Sequence, residues 1–435
     1  DDHNNTTMDL YVRTKGLYTD RLPYVAFMKM PINKIRMICM WAQGMWGTGG
    51  WINNDNDERG ARVACFASRA LLKPVRLAYT QHQDNVYGWG KHCLGKVKLG
   101  FKSDGTLHAM DHTQYAEGGT AGNGSVTSAA RAGGQLLYNR NCKHMKLVLG
   151  TVRTNRLKMY DFCGIGTASP TYVVESAMVI AAERLGIDPI ELRKKNHFVK
   201  GGFDAHTGYP LAWNSNDGHS ECLDACAKEM NWATSWGGWK APSTKTGVIR
   251  HGIGVAIKTH TGGAWEGSSM LTKMFPDGSV QLSSSMGDAG MAQQTASCQM
   301  TAEVLGLRHE SITMVRGSTD LPFCVLLGGS NGTWNTGWPA WGAANDVRNK
   351  VLTAGSFLFN NAKLEDLDMG EGGVWLKADP TKKKPFKDVF AVLATPNTVP
   401  SQNRGNAYEI VGYSYRRATD GLCSPREKSA SIASL

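Results

Sequence analysis

The stretch of residues 151–196 constrains the fold more than any other part of this chain. Inside it, four apolar residues recur at helical spacing, namely Val174, Met178, Ala181 and Leu185. Spacings of four, three and four residues place them on one face of an α-helix. Gly186 follows directly, and glycine favours the left-handed conformation in which many helices end. The pattern predicts a helix over residues 172–185 with its apolar face against a core.

The residues on either side of this helix predict a turn before it and a second helix after it. Gly164 and Gly166 punctuate the segment upstream, as expected for a tight backbone turn. Downstream, Asp188 stands at an N-cap position, where a carboxylate accepts hydrogen bonds from first-turn N–H groups. Pro189 suits the first residue of that second helix. The predicted order is therefore extended segment, glycine turn, helix and helix.

The composition indicates a globular chain with a basic surface. Its 435 residues are long enough for two to four domains, and its 41% hydrophobic content is enough for a buried core. A net charge of +11 favours an acidic partner subunit or an anionic substrate. The basic residues are scattered apart from the run at 382–384 with Lys387, so we expect no nucleic-acid partner.

The ten cysteines are spread along the chain without a C-x-x-C pair. This is neither a disulfide framework nor a set of zinc or iron–sulfur ligands, so reduced thiols in a cytoplasmic protein are expected. An iron–sulfur cluster would then sit on another chain. No apolar run is long enough to span a membrane. The chain begins with Asp1, which leaves open a targeting segment that has been removed.

Periodic segments elsewhere predict an α+β architecture. Strands are expected at residues 8–13, 34–40, 74–77, 252–258, 269–275, 280–284, 311–316 and 408–415, and a hairpin at 96–115. Further helices are expected at residues 22–30, 61–72, 221–230, 296–305 and 340–352, with Gly355 just past the end of the last. The polar, irregular stretch at 201–247 is the predicted linker between a first domain, 1–200, and a second, 248–435.

The order of parts in residues 151–196 resembles the molybdopterin-binding large subunit of the xanthine dehydrogenase/aldehyde oxidase (molybdenum hydroxylase) family. In that family a T-N segment leads to an A-F-R-G-F-G-type loop beside the molybdenum, and the next helix ends in L-G-x-D-P-x-E-L-R-x-x-N. The resemblance extends from about Leu10 to about Arg417. It implies two mixed α/β subdomains of the large-subunit type, without the last catalytic subdomain.

The resemblance also implies where substrate and cofactor would be contacted. Arg131, Phe162 and Cys163 fall on the wall of the substrate pocket, where Cys163 replaces the family arginine and Ile165 replaces an aromatic residue. The implied cofactor-binding residues are Gly47, Thr48, Gly49, Gly50, Gly164, Met291, Gln293, Gly328, Gly329, Ser330 and Asn331. No residue of this chain is expected to bind the metal directly.

These positions also have purely structural interpretations. The glycines at 44–50 and the loop at 328–333 are equally typical of tight turns before helices, Arg131 of a protein surface, and Phe162 of core packing. Met291 stands where the family has a glutamine, so either Gln293 or Gln294 replaces that contact or the contact is lost.

Two differences from the family pattern bear on catalysis. Lys15 stands where the family has the glutamine that binds a molybdenum ligand. The family's V-G-E-x-P segment, which carries the catalytic glutamate, does not occur, and Glu409 is not a convincing substitute. We interpret the chain as a central portion, one piece of a divided subunit, or a paralogue without catalysis.

The resemblance implies a molybdopterin-binding component of a multi-subunit oxidoreductase that acts on an organic substrate, cyclic or aromatic in type. The implied cofactor is molybdenum–molybdopterin, with the cytosine dinucleotide form left open. [2Fe–2S] clusters and FAD are expected on partner subunits, together with a second molybdopterin-subunit polypeptide. The alternative is a non-catalytic structural subunit that completes an active site on another chain.

Overall fold

A computed structural model describes most of the chain. The described residues are 7–39, 55–83, 89–90, 92–120, 136–138, 142–156, 159–160, 164, 166–199, 218–239, 245–246, 248–258, 267–287, 290–328, 331–393 and 408–416. They form two compact units: the described residues of unit 1 fall within 1–45, 49–78 and 264–422, and those of unit 2 fall within 79–263. The predicted linker at 201–247 lies partly outside the described residues, and the predicted division into domains 1–200 and 248–435 stays a prediction.

The described helices and strands alternate through both units, which confirms the predicted α+β class. The helices are α1 (Leu17–Met28), α2 (Asp55–Leu71), α3 (Ala168–Leu185), α4 (Pro189–Asn196), α5 (His219–Glu229), α6 (Trp232–Ser235), α7 (Gln293–Leu305), α8 (Gly332–Ser356) and α9 (Phe386–Val392). None of these helices combines the length and the apolar character needed to cross a bilayer.

The strands lie in small sheets. Those of the first half of the chain are β1 (Met8–Tyr11), β2 (Ile35–Ile38), β3 (Trp89–Gly90), β4 (Cys93–Phe101), β5 (Leu107–Glu117), β6 (His144–Val152) and β7 (Met159–Tyr160). Those of the second half are β8 (Lys245–Thr246), β9 (Ile249–Arg250), β10 (Ser268–Met274), β11 (Val280–Ser284), β12 (Ile312–Arg316), β13 (Leu367–Gly370), β14 (Gly373–Leu376), β15 (Asp379–Lys384) and β16 (Ile410–Arg416).

Unit 1 is built on a four-stranded sheet with the order β12-β11-β10-β16. Strands β11 and β12 are parallel, so the chain between them crosses over through α7. Helix α8 packs on this sheet so closely that a side chain at Gly412 of β16 would overlap the Ala343 carbonyl. Met270 and Leu282 of the sheet and Val347 of α8 belong to one buried core.

Unit 1 also contains a β-α-β unit near its start. Strands β1 and β2 are parallel, with Met8 opposite Ile35, and α1 connects them. Leu17 and Tyr24 of α1 are buried against this pair of strands. A separate antiparallel sheet has the order β13-β14-β15.

Unit 2 is built on the three-stranded sheet β4-β5-β6, in which the predicted β4–β5 hairpin turns at Gly105 with φ +83°. Helix α3 packs on this sheet, and Val174, Met178 and Ala182 of its apolar face are fully buried. Gly186 ends the helix in the left-handed conformation, as predicted.

A buried ion pair holds α3 to α4. Arg193 of α4 is fully buried and bonds Glu175 of α3, with Nε 2.9 Å from Oε2. Glu175 also accepts the Tyr138 hydroxyl and, at 3.0 Å, the backbone N–H of Ile257. Burial raises the pKa of Tyr138 well above its ordinary value, which keeps this hydroxyl a donor. Four segments of unit 2 therefore meet at one carboxylate.

Three predictions of local structure are wrong. Residues 74–77 form no strand, and they have no partner strand among the described residues. Residues 252–258 are not a strand either, because the N–H of Ile257 is bonded to Glu175 instead of a neighbouring strand. Gly355 lies inside α8, where a side chain would approach Val374 to 2.9 Å, so this glycine permits packing and does not end the helix.

Candidate functional site

Helices α7 and α8 of unit 1 begin side by side. A side chain at Gly332, the first residue of α8, would overlap Gln293, the first residue of α7, with Cδ 3.0 Å away. Farther along, Arg348 of α8 donates to the carbonyl of Val304 in α7 at 3.2 Å. Because the contacts advance together along both helices, the helices run in the same direction and their N-termini share one end.

This shared end presents backbone donors that no side chain caps within the described part of the chain. Neither Ala292, which precedes α7 with φ +55°, nor Asn331, which precedes α8, makes a side-chain capping bond. The first N–H groups of a helix lack partners in the helix, and the helix dipoles add positive potential there. Two such ends together favour an anionic group such as a phosphate.

Buried amide atoms at this end also lack partners. Gln293, Asn331 and Asn335 are each at most 3% exposed. Gln293 Oε1, Asn331 Oδ1 and both amide atoms of Asn335 have no hydrogen-bond partner in the described structure. Leaving such an atom unpaired costs about 1–3 kcal/mol. The arrangement fits a bound group that is anionic at one point and carries hydrogen-bonding atoms along an edge.

The segment of Lys15 lies against the loop that leads into α8. The backbone N–H of Leu327 donates to the Lys15 carbonyl at 3.1 Å. A side chain at Gly287, where the segment leading to α7 begins, would lie 2.8 Å from the Thr14 carbonyl. The structure thus brings described parts of three segments together within unit 1: the turn that contains Lys15, the segment that begins at Gly287, and the segment at Leu327 that precedes α8.

Asp20 of α1 holds the turn at Thr14–Gly16. The Thr14 hydroxyl donates to the Asp20 carboxylate and accepts the Gly16 N–H at 3.0 Å. Asp20 is 7% exposed, and its Oδ1 has no partner among the described residues. Burial raises the pKa of Asp20 to about 6, an effect that the bond from Thr14 only partly offsets.

Asp20→Asn should change how stability depends on pH. The folded pKa of about 6 lies above the unfolded value of about 3.9. Protonated Asp20 therefore stabilises the fold below about pH 4, and this contribution is lost as the pH rises through 6. Asparagine stays neutral, so we expect the wild type to lose about 2–3 kcal/mol relative to the variant between pH 4 and 7.

Urea unfolding at several pH values measures this difference, with exposed Asp366→Asn of the same unit as the matched control. A wild type and Asp20→Asn variant with parallel pH profiles would contradict a raised pKa for the buried Asp20 carboxyl.

Gly164 lies in unit 2, before the N-terminus of α3. Its φ of +81° is a left-handed conformation that glycine adopts without strain. Its carbonyl accepts the N–H and the hydroxyl of Thr167, each at 2.9 Å. A Cβ at Gly164 would lie 2.5 Å from Lys258 Nζ, so the ammonium sits directly against this turn.

The other predicted site residues divide into those that the structure describes and those that it does not. Gln293 is buried, whereas Met291 is 43% exposed, so of these two only Gln293 points into the protein. Asn331 is the residue directly before α8, and Gly328 lies farther upstream of that helix. The remaining residues lie outside the described residues: Gly47, Thr48, Gly49, Gly50, Arg131, Phe162, Cys163, Gly329 and Ser330. The functional roles of all these residues stay predictions.

Sequence reasoning missed Asn335, Asp20 and Lys258. Asn335 follows Asn331 by one helical turn, and this spacing was a usable signal that both amides share a helix face. Asp20 and Lys258 gave no such signal in the sequence. Asp20 stands out only because it is buried, and Lys258 only because it contacts the distant Gly164. In the described part of the chain, no group of three or more His, Cys, Asp or Glu residues has metal-binding geometry.

Comparison with known proteins identifies the family. The family model of the molybdopterin cofactor-binding domain matches twice, over residues 2–197 and residues 225–422. The probable hypoxanthine oxidase XdhD of Escherichia coli K12 is 25% identical over 338 residues, which cover 75% of this chain and 34% of the relative. The aldehyde oxidoreductase molybdenum-binding subunit PaoC of the same strain is 24% identical over 76% of this chain and 43% of its own length.

Solved structures share the fold. Quinoline 2-oxidoreductase from Pseudomonas putida 86 matches 94% of this chain and 53% of its own chain, with a TM-score of 0.69 and 18% identity. Aldehyde oxidoreductase from Desulfovibrio gigas matches 94% of this chain and 40% of its own, with a TM-score of 0.63 and 21% identity. The chain thus spans between a third and about half the length of these relatives. With two consecutive matches that together cover most of its residues, this chain belongs to the molybdopterin-binding large-subunit family of xanthine dehydrogenase and aldehyde oxidase type.

Proposed function

We propose that this chain holds a molybdenum–molybdopterin cofactor as one component of a multi-subunit molybdenum hydroxylase-type oxidoreductase. The observation that carries the proposal is the shared N-terminal end of α7 and α8. It offers uncapped backbone donors and buried amides without partners, in a chain with two molybdopterin cofactor-binding domains. Both features suit an organic ligand with an anionic group and a hydrogen-bonding ring edge.

Different groups at this end bind different parts of the cofactor. The backbone N–H groups of the first turn of α8 bind the phosphate of the cofactor, because they are uncapped donors at the positive end of a long helix. Gln293 and Asn335 pair their free amide atoms with the ring edge. Asn331 is the third buried amide of this end. Its Nδ2 donates to the Leu326 carbonyl at 2.8 Å, and this bond fixes the orientation of the amide.

When bound, the cofactor supplies the two-electron redox chemistry, and the protein supplies orientation and a dry pocket. The substrate proposed is a cyclic or aromatic organic compound, in keeping with relatives named for hypoxanthine and quinoline. Arg131, Phe162 and Cys163 would orient it. Iron–sulfur and FAD subunits would carry the electrons away, and a second polypeptide would supply the base that this sequence lacks.

A non-catalytic structural subunit of the same fold is the second candidate. Two substitutions favour it: Lys15 and the exposed Met291 each stand where the family has a glutamine that contacts the cofactor or a molybdenum ligand. Such a subunit would keep the fold of unit 1 without retaining the cofactor.

The two candidates differ in what the native complex contains. We expect the complex, purified with its partners from a molybdenum-replete culture, to hold stoichiometric molybdenum and pterin for each copy of this chain. Release of cytidine monophosphate on mild hydrolysis would identify the cytosine dinucleotide form. A complex that is intact but free of pterin would contradict the first candidate and leave the structural subunit.

A further inference from the structure

One face of the sheet β4-β5-β6 in unit 2 is covered by α3, and the other face is open to solvent. The residues of β5 alternate between the two: Met110 and His112 are buried on the covered side, whereas Asp111 and Tyr115 lie on the other. Tyr115 is 41% exposed, and Leu94, opposite it on β4, is 72% exposed. All residues of these three strands are described, so the composition of this open face is known in full.

Three lysines line a depression at one end of the open face. Gly100 of β4 and Ala109 of β5 lie opposite each other there, and their small side chains leave a depression of about 650 Å³. Lys98, Lys143 and Lys146 line it, and each has an exposed side chain. The sheet therefore leaves room for a ligand group beside three ammonium groups.

The positive charge of this depression is not balanced locally. Among the described residues that line it, the acidic one is Asp111, which lies between Lys98 and Lys146 in the register of the strands. None of the three lysines forms an ion pair in the described part of the chain. The connection from β5 to β6, residues 118–143, contains two arginines and no Asp or Glu, so its undescribed part adds no carboxylate.

Two other carboxylates belong to these strands and their hairpin turn, and each has its own cation. Asp104 in the turn has Oδ2 3.2 Å from Lys195 Nζ. Glu117, at the far end of β5, has Oε1 3.6 Å from Arg156 Nε. A net positive charge thus remains at the depression.

The opposite end of the open face is apolar. The Tyr115 ring lies across Gly150 of β6, because a Cβ at Gly150 would lie 2.7 Å from Tyr115 Cδ1. Leu94 lies beside this ring on β4, and Val152 on β6 is 47% exposed. An exposed aromatic ring among aliphatic side chains is typical of the centre of a protein interface.

We propose that the open face binds an acidic segment of a partner protein, an inference that rests on the multi-subunit assembly proposed above. Carboxylates of the partner lie over the depression, and an apolar side chain packs against Leu94 and Tyr115. Charge complementarity selects this occupant, because a second copy of this chain has the same net charge of +11 and is repelled. A nucleic-acid duplex binds cations through its phosphates and leaves the apolar end uncovered.

Acetylation of lysines in the native complex tests whether the face is covered. N-hydroxysuccinimidyl acetate modifies accessible amines, and mass spectrometry gives the rate at each lysine. A face that is covered nine-tenths of the time reacts about tenfold more slowly, so we expect this slowing at Lys98 and Lys146 relative to the chain separated from its partners by high salt. Exposed Lys228 of α5 and Lys387 of α9 are the controls and should react at equal rates in both samples.

A double variant tests the role of charge. Lys98→Gln with Lys146→Gln removes two cations and places no new charge beside Asp111. We expect the partner to bind about two- to thirtyfold more weakly, the effect of losing two partly exposed ion pairs. Lys228→Gln with Lys387→Gln lowers the net charge equally and should leave binding unchanged.

Cross-linking with a carbodiimide, which joins lysines to carboxylates in contact, identifies what covers the face. Cross-links from Lys98 or Lys146 to Asp or Glu of another protein support the proposal. Equal acetylation in both samples, slowing without such cross-links, cross-links to a second copy of this chain, or slowing that nuclease abolishes would each overturn it. The pterin content of the same complex decides the function proposed above, whichever of these results is obtained.

Discussion

Gln293→Met should remove most of the bound molybdopterin without destabilising the protein. The side chain of Gln293 is buried against Gly332, and its Oε1 has no partner in the described structure. Methionine has a similar length and shape but cannot pair with a ring edge. We expect cofactor affinity to fall about five- to a hundredfold, because the ring atom that pairs with Gln293 would be left buried and unpaired, which costs about 1–3 kcal/mol.

Stability provides the discriminating readout for this variant. Without ligand, the buried Oε1 is unpaired, so its removal should leave the free energy of unfolding unchanged or slightly higher. Met291→Gln is the matched control at the exposed position, where we expect no loss of cofactor. Molybdenum and pterin per chain are measured after purification of each complex. Full retention of cofactor by Gln293→Met would contradict a direct contact.

Arg193→Met should destabilise unit 2 more than any other single substitution considered for this chain. The variant leaves the carboxylate of Glu175 buried without its cation, and breaking such a pair costs about 3–5 kcal/mol. Glu175 also anchors Tyr138 and Ile257, so the loss should spread from α4 to the segment before Lys258. Hydrogen exchange of the α3 amides measures the free energy of opening in the intact chain.

A double variant separates the effect of the unpaired Glu175 charge from the effect of lost packing. Adding Glu175→Gln to Arg193→Met replaces the stranded charge by a neutral amide, so the double variant should recover part of the stability. Exposed Arg184→Met on α3 serves as the control and should have little effect. Losses that simply add in the double variant would show that the unpaired charge is not the cause.

The sequence predicted those elements whose signals are local. The apolar face of α3, the left-handed Gly186 and the cap at Asp188, which accepts the Ile190 N–H at 2.7 Å, all depend on residues within a few positions of one another. The same rule failed for Gly355, which resembles a helix end in sequence but permits α8 to pack on Val374. From the sequence alone, a glycine that permits close packing looks the same as a glycine that ends a helix. The residue that packs against it must be known to tell the two apart.

The candidate site was predictable only in part, for the same reason. The segments around Lys15, Gln293 and Asn331 were found by resemblance, whereas their meeting in unit 1 depends on α7 and α8 running in the same direction. The choice of Gln293 over Met291 required their burial. Lys258 lay in a segment predicted as a strand, and its contact with Gly164 is long-range.

A map of the cofactor-loaded native complex tests the central claim most directly. We predict that the phosphate of the cofactor lies within hydrogen-bond distance, about 2.7–3.2 Å, of the first backbone N–H groups of α8. The amide of Gln293 should then contact the ring edge. A pterin bound elsewhere, with Gln293 still packed on Gly332 and free of ligand, would contradict the account.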